Sequence, residues 1–367
     1  MNKEKNADKR RICLTVCAVL FVYTALVLVI CIFSRSFSET YCRTVSSFLR
    51  FSLSGVTGIF PFSLAEALLF LLPCAILLCE AVILIKRKFT FKGFLKRAFI
   101  LVTVMFFLFV NVFGVCYFRK PLEDNMSFEI VSFSENELKE AAEFVKSELE
   151  KSCENVFFGD DGASQNPHSW KQMNKKIDYG FSRLEREYPF VSHINADAKR
   201  IALSRYMTYT HISGIFIPFT AEANVNTNYP EYVVAFSAAH EKAHQRGIAG
   251  EDEANFVAFL ACLASGDDYL EYAGLLSMYD YFLDEAYKTD TEMYRELLEN
   301  TDIRILREMY AYSVFFDEYR NSTASVVADK VNDTYIKTMG DSEGVKSYGS
   351  VVSLCTSYLL QKEALPY

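Results

Sequence analysis

His240 and His244 stand four residues apart, with Glu241 directly after the first. On a helix that spacing sends both imidazoles out of one face, where they can share one tetrahedral metal ion. Glu241 turns its carboxylate towards the open side of such an ion, where a water awaiting activation needs a base. This is the pattern H-E-x-x-H. With only five histidines in 367 residues, a chance match is rare, on the order of half a per cent.

Two helices are needed to complete the site. Pro230 suits a first helical position, and Val233, Val234, Phe236 and Ala239 supply an apolar side behind the histidines. Gly247 breaks this helix, and a second apolar-periodic segment, Ala254 to Leu263, begins with the acids Glu251, Asp252 and Glu253. A third ligand can come from that first turn. Glu251 is the first choice, because Asn255 at i+4 shares its face and can hydrogen-bond a ligand. Glu253 is the alternative, since the return from His244 to Glu251 is tight and two more residues would ease it. The plainer reading is that the acids only complement the helix N-terminus.

Ahead of the metal helix, Ile212 to Phe219 is β-branched and aromatic and ends near Pro218, as an edge strand would. Such an edge is either structural or pairs with an extended peptide. Thr220 to Asn226 then leads to the metal helix, lining the cleft or capping turns. Ser134 to Glu137 is a capping box opening a helix to about Cys153, and a second helix is expected from Trp170 to about Tyr188. After Gly266 the chain reads as mostly helical, with breaks near Lys288, Asn300, Asn321 and Gly340.

Charge divides the chain near residue 120. Residues 1–120 hold 16 Lys/Arg and 5 Asp/Glu, net +11, and the rest hold 22 and 41, net −19, which sum to the overall −8. The first part is membrane-like, with spans expected at about 12–34, 62–85 and 98–118. Arg35 to Arg50 reads as a loop, and Ser63 to Glu66 as a helix cap that keeps Glu66 near the interface. Basic clusters at the N-terminus and from Lys86 to Arg97 place those parts in the cytoplasm and residues 121–367 outside the plasma membrane. The partners expected are the lipid bilayer and a peptide or protein substrate; an acidic domain argues against nucleic acid. Ten cysteines without a C-x-x-C pair, seven of them in the membrane-like part, read as small apolar residues rather than a disulfide framework. The fold expected is a three-helix membrane anchor followed by a mainly α (α+β) zincin-like domain with a small sheet.

The stretches PFTAEANVN (218 to 226), HEKAHQRGIAGEDEANF (240 to 256) and NDTYIKTMGDSEGVKSYG (332 to 349), together with the spans, resemble a family of bacterial three-span membrane proteins catalogued as a domain of unknown function with zincin motifs. That resemblance covers nearly the whole chain and implies a zinc-dependent hydrolase. A wider similarity is to the gluzincins, whose second motif is Glu-x-x-x-Asp. Glu251 to Asn255 looks like it with Asn in the last place, which favours Glu251 as ligand. The spacing from His244 is shorter than is usual there, and the third histidine position of metzincins is Gly250 here.

The chemistry expected is peptide-bond hydrolysis with Zn2+ on His240, His244 and Glu251, and Glu241 as general base. Tyr348, Tyr335, Arg246 and His211 are chemically able to steady an oxyanion, Tyr348 being preferred. His168 and His193 read as surface or capping residues, and Lys242 and Arg246 as facing solvent or acids such as Asp252. A different class of function is a non-catalytic metal-binding receptor or assembly factor, in which Glu241 would have no task. An intramembrane protease is excluded by the charges of Glu231, Lys242 and Arg246 around the motif.

Overall fold

The computed structural model describes residues 2–338 and 348–362, except for the side chains of 2–10, 332–333, 335–338 and 348–350. The chain forms two compact units, Met1–Lys120 with Ile217–Glu222, and Pro121–Phe216 with Ala223–Tyr367.

In the first unit, α1 (Asn2–Phe33), α2 (Arg35–Tyr41), a π-helical turn (Cys42–Ser46), α3 (Ser47–Thr57), α4 (Leu64–Ile85), α5 (Phe91–Val112) and a 3-10 turn (Gly114–Phe118) follow one another. Three stretches, Arg11–Phe33, Leu64–Ile85 and Phe91–Val112, are long and apolar enough to cross a membrane. The third starts and ends earlier than its charge-free run suggests. Thr90 accepts the Gly93 N–H and starts α5 inside the basic cluster, and the backbone tightens to a 3-10 turn after Phe113. The expected loop at 35–50 is helical instead, started by Ser34, which accepts from Phe37 N. Ser63 caps α4 by accepting from Glu66 N, as its pattern predicts. Thr57 Oγ1 donates to the Thr220 carbonyl at 3.0 Å, and the Glu222 carboxylate accepts the N–H groups of Leu64 and Ala65 at the α4 N-terminus.

The reading of the cysteines as apolar filler needs one correction. Cys42 and Cys116 form a disulfide, their Cα atoms 5.7 Å apart across 74 residues. The sequence offered no spacing signal for it, because helices α1 to α5 alone bring the two ends together.

The second unit contains α6 (Leu122–Met126), α7 (Glu135–Ser152), α8 (Trp170–Glu187), β1 (Lys199–Arg200), α9 (Ser204–Thr208), β2 (Gly214–Ile217), β3 (Glu222–Val225), α10 (Glu231–Gln245), α11 (Glu251–Leu263), α12 (Asp268–Thr289), α13 (Thr291–Glu299), α14 (Ile303–Phe316), α15 (Thr323–Thr338) and α16 (Tyr348–Lys362). The terminal residues of β2 and β3 fall in the first unit's loop. The capping box at Ser134 forms as expected.

From Ala254 to Leu263 every residue of α11 is buried and all but Asn255 are apolar, so this part of the helix forms the centre of the core. Helices α7, α8, α10, α12 and α16 complete that core. Phe256 and Phe259 on α11 are fully buried, each contributing about 2 kcal/mol by its transfer from water. The sheet order is β1-β3-β2, with β1 parallel to β3 and β2 at an edge. The strand expected over 212–219 is shorter, and the segment expected to bridge to the metal helix supplies β3.

Candidate metal centre

Helix α10 carries His240, Glu241 and His244, and α11 carries Glu251. The turn between them is built by Gly247 at φ 92, in the left-handed region that favours glycine. Ile248 N donates to the Ala243 carbonyl at 3.2 Å and Gly247 N to that of His244 at 2.9 Å, the paired bonds of a Schellman ending. Gly250 in extended conformation then starts α11.

This tight return brings three ligand atoms together. His240 Nε2 and His244 Nε2 lie 3.3 and 3.5 Å from Glu251 Oε2, and the ligand atoms of the three residues all fall within 4.8 Å of one another. Donors about 2.0–2.1 Å from a tetrahedral zinc are separated by about 3.3 Å, so the three residues fit such an ion. The two imidazoles stand nearly perpendicular, at 87°, with centroids 4.6 Å apart. His244 Nδ1 donates to the Ile248 carbonyl at 2.8 Å, which turns Nε2 towards Glu251. His240 Nδ1 is buried and has no hydrogen-bond partner among the described residues.

Glu241 is buried beside this group. The Phe216 backbone N–H donates to its carboxylate, while Oε2 is buried with no partner among the described residues. Burial raises its pKa to about 7 against the lowering by His240 and His244. Burial would also raise Glu251, but the two histidines outweigh it and hold that carboxyl far below the usual range. Glu251 in turn overcomes the burial of His244 and raises its pKa to about 9.

Glu253, the alternative ligand, points elsewhere. Its Oε1 accepts the Leu122 N–H at 2.8 Å, holding the start of α6. Asn255 is buried one turn beyond Glu251 on α11. The Tyr335 and Tyr348 side chains lie outside the described residues.

The other histidines stand apart from this group. His211 precedes β2, its φ at 61, and its Nε2 donates to the Tyr319 carbonyl at 2.9 Å. His168 Nε2 lies 2.7 Å from Asp267, and His193 Nδ1 lies 2.9 Å from Glu185 at the surface.

Of the two readings of Lys242 and Arg246, solvent is wrong, because α8 packs behind α10 and buries both side chains, and acids are right, although the acids are Asp178 and Glu185 of α8. Lys242 Nζ meets Asp178 at 3.0 Å, Asn174 Oδ1 at 3.1 Å and the Ala196 carbonyl at 2.9 Å. Arg246 Nη2 meets Asp178 at 2.8 Å and the Ile194 carbonyl at 2.8 Å, with its guanidinium over the Phe181 ring. Their counter-charges were visible as Asp178 and Glu185 on a predicted helix, but their facing α10 was not.

The chain matches no curated protein and no solved structure. A family model described as "Protein of unknown function (DUF3810)" matches residues 41–356, most of the chain, and the chain belongs to that family.

Proposed function

We propose that this protein is a membrane-anchored zinc metallopeptidase, with His240, His244 and Glu251 as ligands and Glu241 as general base. The observation that carries this reading is the convergence of three ligand atoms beside a buried glutamate with one unpartnered oxygen. Zinc, when bound, supplies a Lewis acid that polarises a carbonyl and acidifies water. Glu241 Oε2 takes the proton of the attacking water, and Glu241 later delivers it to the leaving amine, so the amide bond breaks with no net change at the carboxylate. The Phe216 N–H on Oε1 fixes the carboxylate in both steps. A peptide laid along the edge strand β2 would run beside Glu241, its backbone paired to the strand.

The catalytic side is assigned to the outer face of the plasma membrane, with the N-terminus in the cytoplasm. Besides the basic clusters, the disulfide supports this. Cys42 follows the first span and Cys116 follows the third, so both lie on one side, and disulfides persist on the oxidising side.

The test is zinc content and peptide-library cleavage by the full-length protein in detergent. About one zinc per chain is expected in the wild type and in Glu241→Gln, and much less in His244→Ala. Glu241→Gln should lower kcat about 100-fold or more. Zinc binding with cleavage indifferent to Glu241 would replace the peptidase by a metal-binding receptor, and absence of zinc would remove the centre altogether.

A further inference from the structure

The segment between the first two spans is amphipathic in the inverse sense. On one stripe Ser46, Arg50, Ser54 and Thr57 are buried. On the opposite side Phe48, Phe51, Val56 and Ile59 are 67%, 50%, 60% and 78% exposed, and Phe62 continues the patch. A helix in water does the reverse.

The inward stripe is fully occupied by the first unit itself. Ser46 Oγ donates to the Asn111 carbonyl at 2.6 Å, and Arg50 donates to the Val112 and Cys42 carbonyls at 2.8 and 3.2 Å. Asn111 and Val112 form the end of α5, so α3 is held at the level where the third span ends. Between Thr44 and Ala65 Arg50 is the only charged residue, so the outward face carries no charge at all. A wet surface of this area would be a large exposed apolar patch.

We propose that Val45–Phe62 is seated among lipid acyl chains at the boundary of the bilayer, as a membrane-embedded element additional to the three spans. Bilayer lipid is the occupant because the segment leads directly into α4, which can cross the membrane from Leu64, and its inward stripe packs on the end of α5, which can also cross it. The 11 residues of α3 extend only about 16 Å, too short to cross a hydrocarbon core of about 30 Å. The helix therefore enters one side of the bilayer without traversing it, its polar stripe satisfied by protein rather than by headgroups. This holds whether or not the metal centre is catalytic.

The experiment is tryptophan quenching in the full-length chain reconstituted into phosphatidylcholine–phosphatidylglycerol vesicles. Phe48→Trp, Phe51→Trp and Ile59→Trp are each measured, with the emission of Trp170, the single native tryptophan, determined on the unsubstituted chain and subtracted. Lipids brominated on the acyl chains should reduce the added emission about two-fold, and aqueous acrylamide should have little effect. Strong acrylamide quenching without bromine quenching would place the face in water and overturn the proposal. Quenching by neither agent would also overturn it, because a second copy of the chain or another protein would then cover the face.

Discussion

The Glu241 carboxylate lies directly against the backbone of β2. A methyl group on residue 214 would sit 2.5 Å from Glu241 Oε1 and 2.6 Å from its Cγ, closer than any packed carbon tolerates. Glycine at this position therefore lets the strand approach the Glu241 carboxylate and present the Phe216 N–H to it. In Gly214→Ala the carboxylate must move while the three candidate ligand side chains, His240, His244 and Glu251, keep their places. The expected result is zinc content unchanged and kcat lowered about 100-fold, the scale of an ångström-sized misplacement of a reacting group. Zinc analysis beside single-turnover cleavage checks this, and unimpaired hydrolysis by the variant would show that Glu241 is not held there. The legible part of this site was the helix spacing of His240, Glu241 and His244. Gly214 was not legible, because nothing local to it indicates that a glutamate 27 residues later will pack on its Cα.

Helix α10 has two polar sides. One presents the imidazoles, and the other sends Lys242 and Arg246 into a buried ion cluster on α8. Asp178 is shared by both cations, and Glu185 lies 3.5 Å from Arg246 Nε. Arg246 is also the residue at which α10 ends, so this cluster steadies the turn whose Ile248 carbonyl orients His244. Removing one partner of a buried pair leaves an uncompensated charge. Asp178→Ala is expected to destabilise the second unit by about 3 kcal/mol and to weaken zinc retention against a chelator. Denaturant unfolding and chelator competition measure the two effects. An unchanged midpoint would mean that the pairs contribute nothing beyond packing. The cationic face of α10 resembles a solvated one in sequence, because periodicity shows which residues share a side but not what covers that side.

At the scale of the whole molecule, the first unit is closed at one end by polar contacts as well as the disulfide. Glu39 accepts from Arg119 Nη2 at 2.7 Å and from Nε at 2.9 Å, and also pairs with Arg43. Burial pushes the Glu39 carboxyl up, but Arg119 and then Arg43 outweigh it and hold it at about 2, below its ordinary 4.5. A carboxyl so lowered binds its proton more readily in the unfolded chain, so its stabilisation is complete above about pH 4.5 and fades as pH falls towards about 2. Thermal unfolding of the full chain in detergent should drop less on acidification through that window in Glu39→Gln than in the wild type. An equal drop would mean that other carboxyls dominate. The disulfide makes a separate prediction. Of the ten cysteines, eight are free, so a thiol-reactive polymer should add eight mass steps to the denatured, non-reduced protein and ten after reduction. Ten steps without reductant would remove both the disulfide and its support for the outward orientation.

The sequence by itself determined what depends on neighbours along the chain. Apolar runs with few or no charges marked three helices long enough to cross a membrane, the Ser63 and Ser134 patterns marked helix starts, and the i, i+4 histidines shared one face of a helix broken by Gly247. Tertiary structure decided what each face meets. Glu251 rather than Glu253 joins the histidines, because the α10–α11 turn directs Glu251 inward while Glu253 is held by a backbone N–H 131 residues away. Cys42 meets Cys116, and Lys242 meets Asp178, only after helices distant in the chain have packed. The physical reason is one of range: backbone hydrogen bonding and helical periodicity act over a few residues, whereas a ligand, an ion pair or a disulfide partner is selected by packing across the whole core.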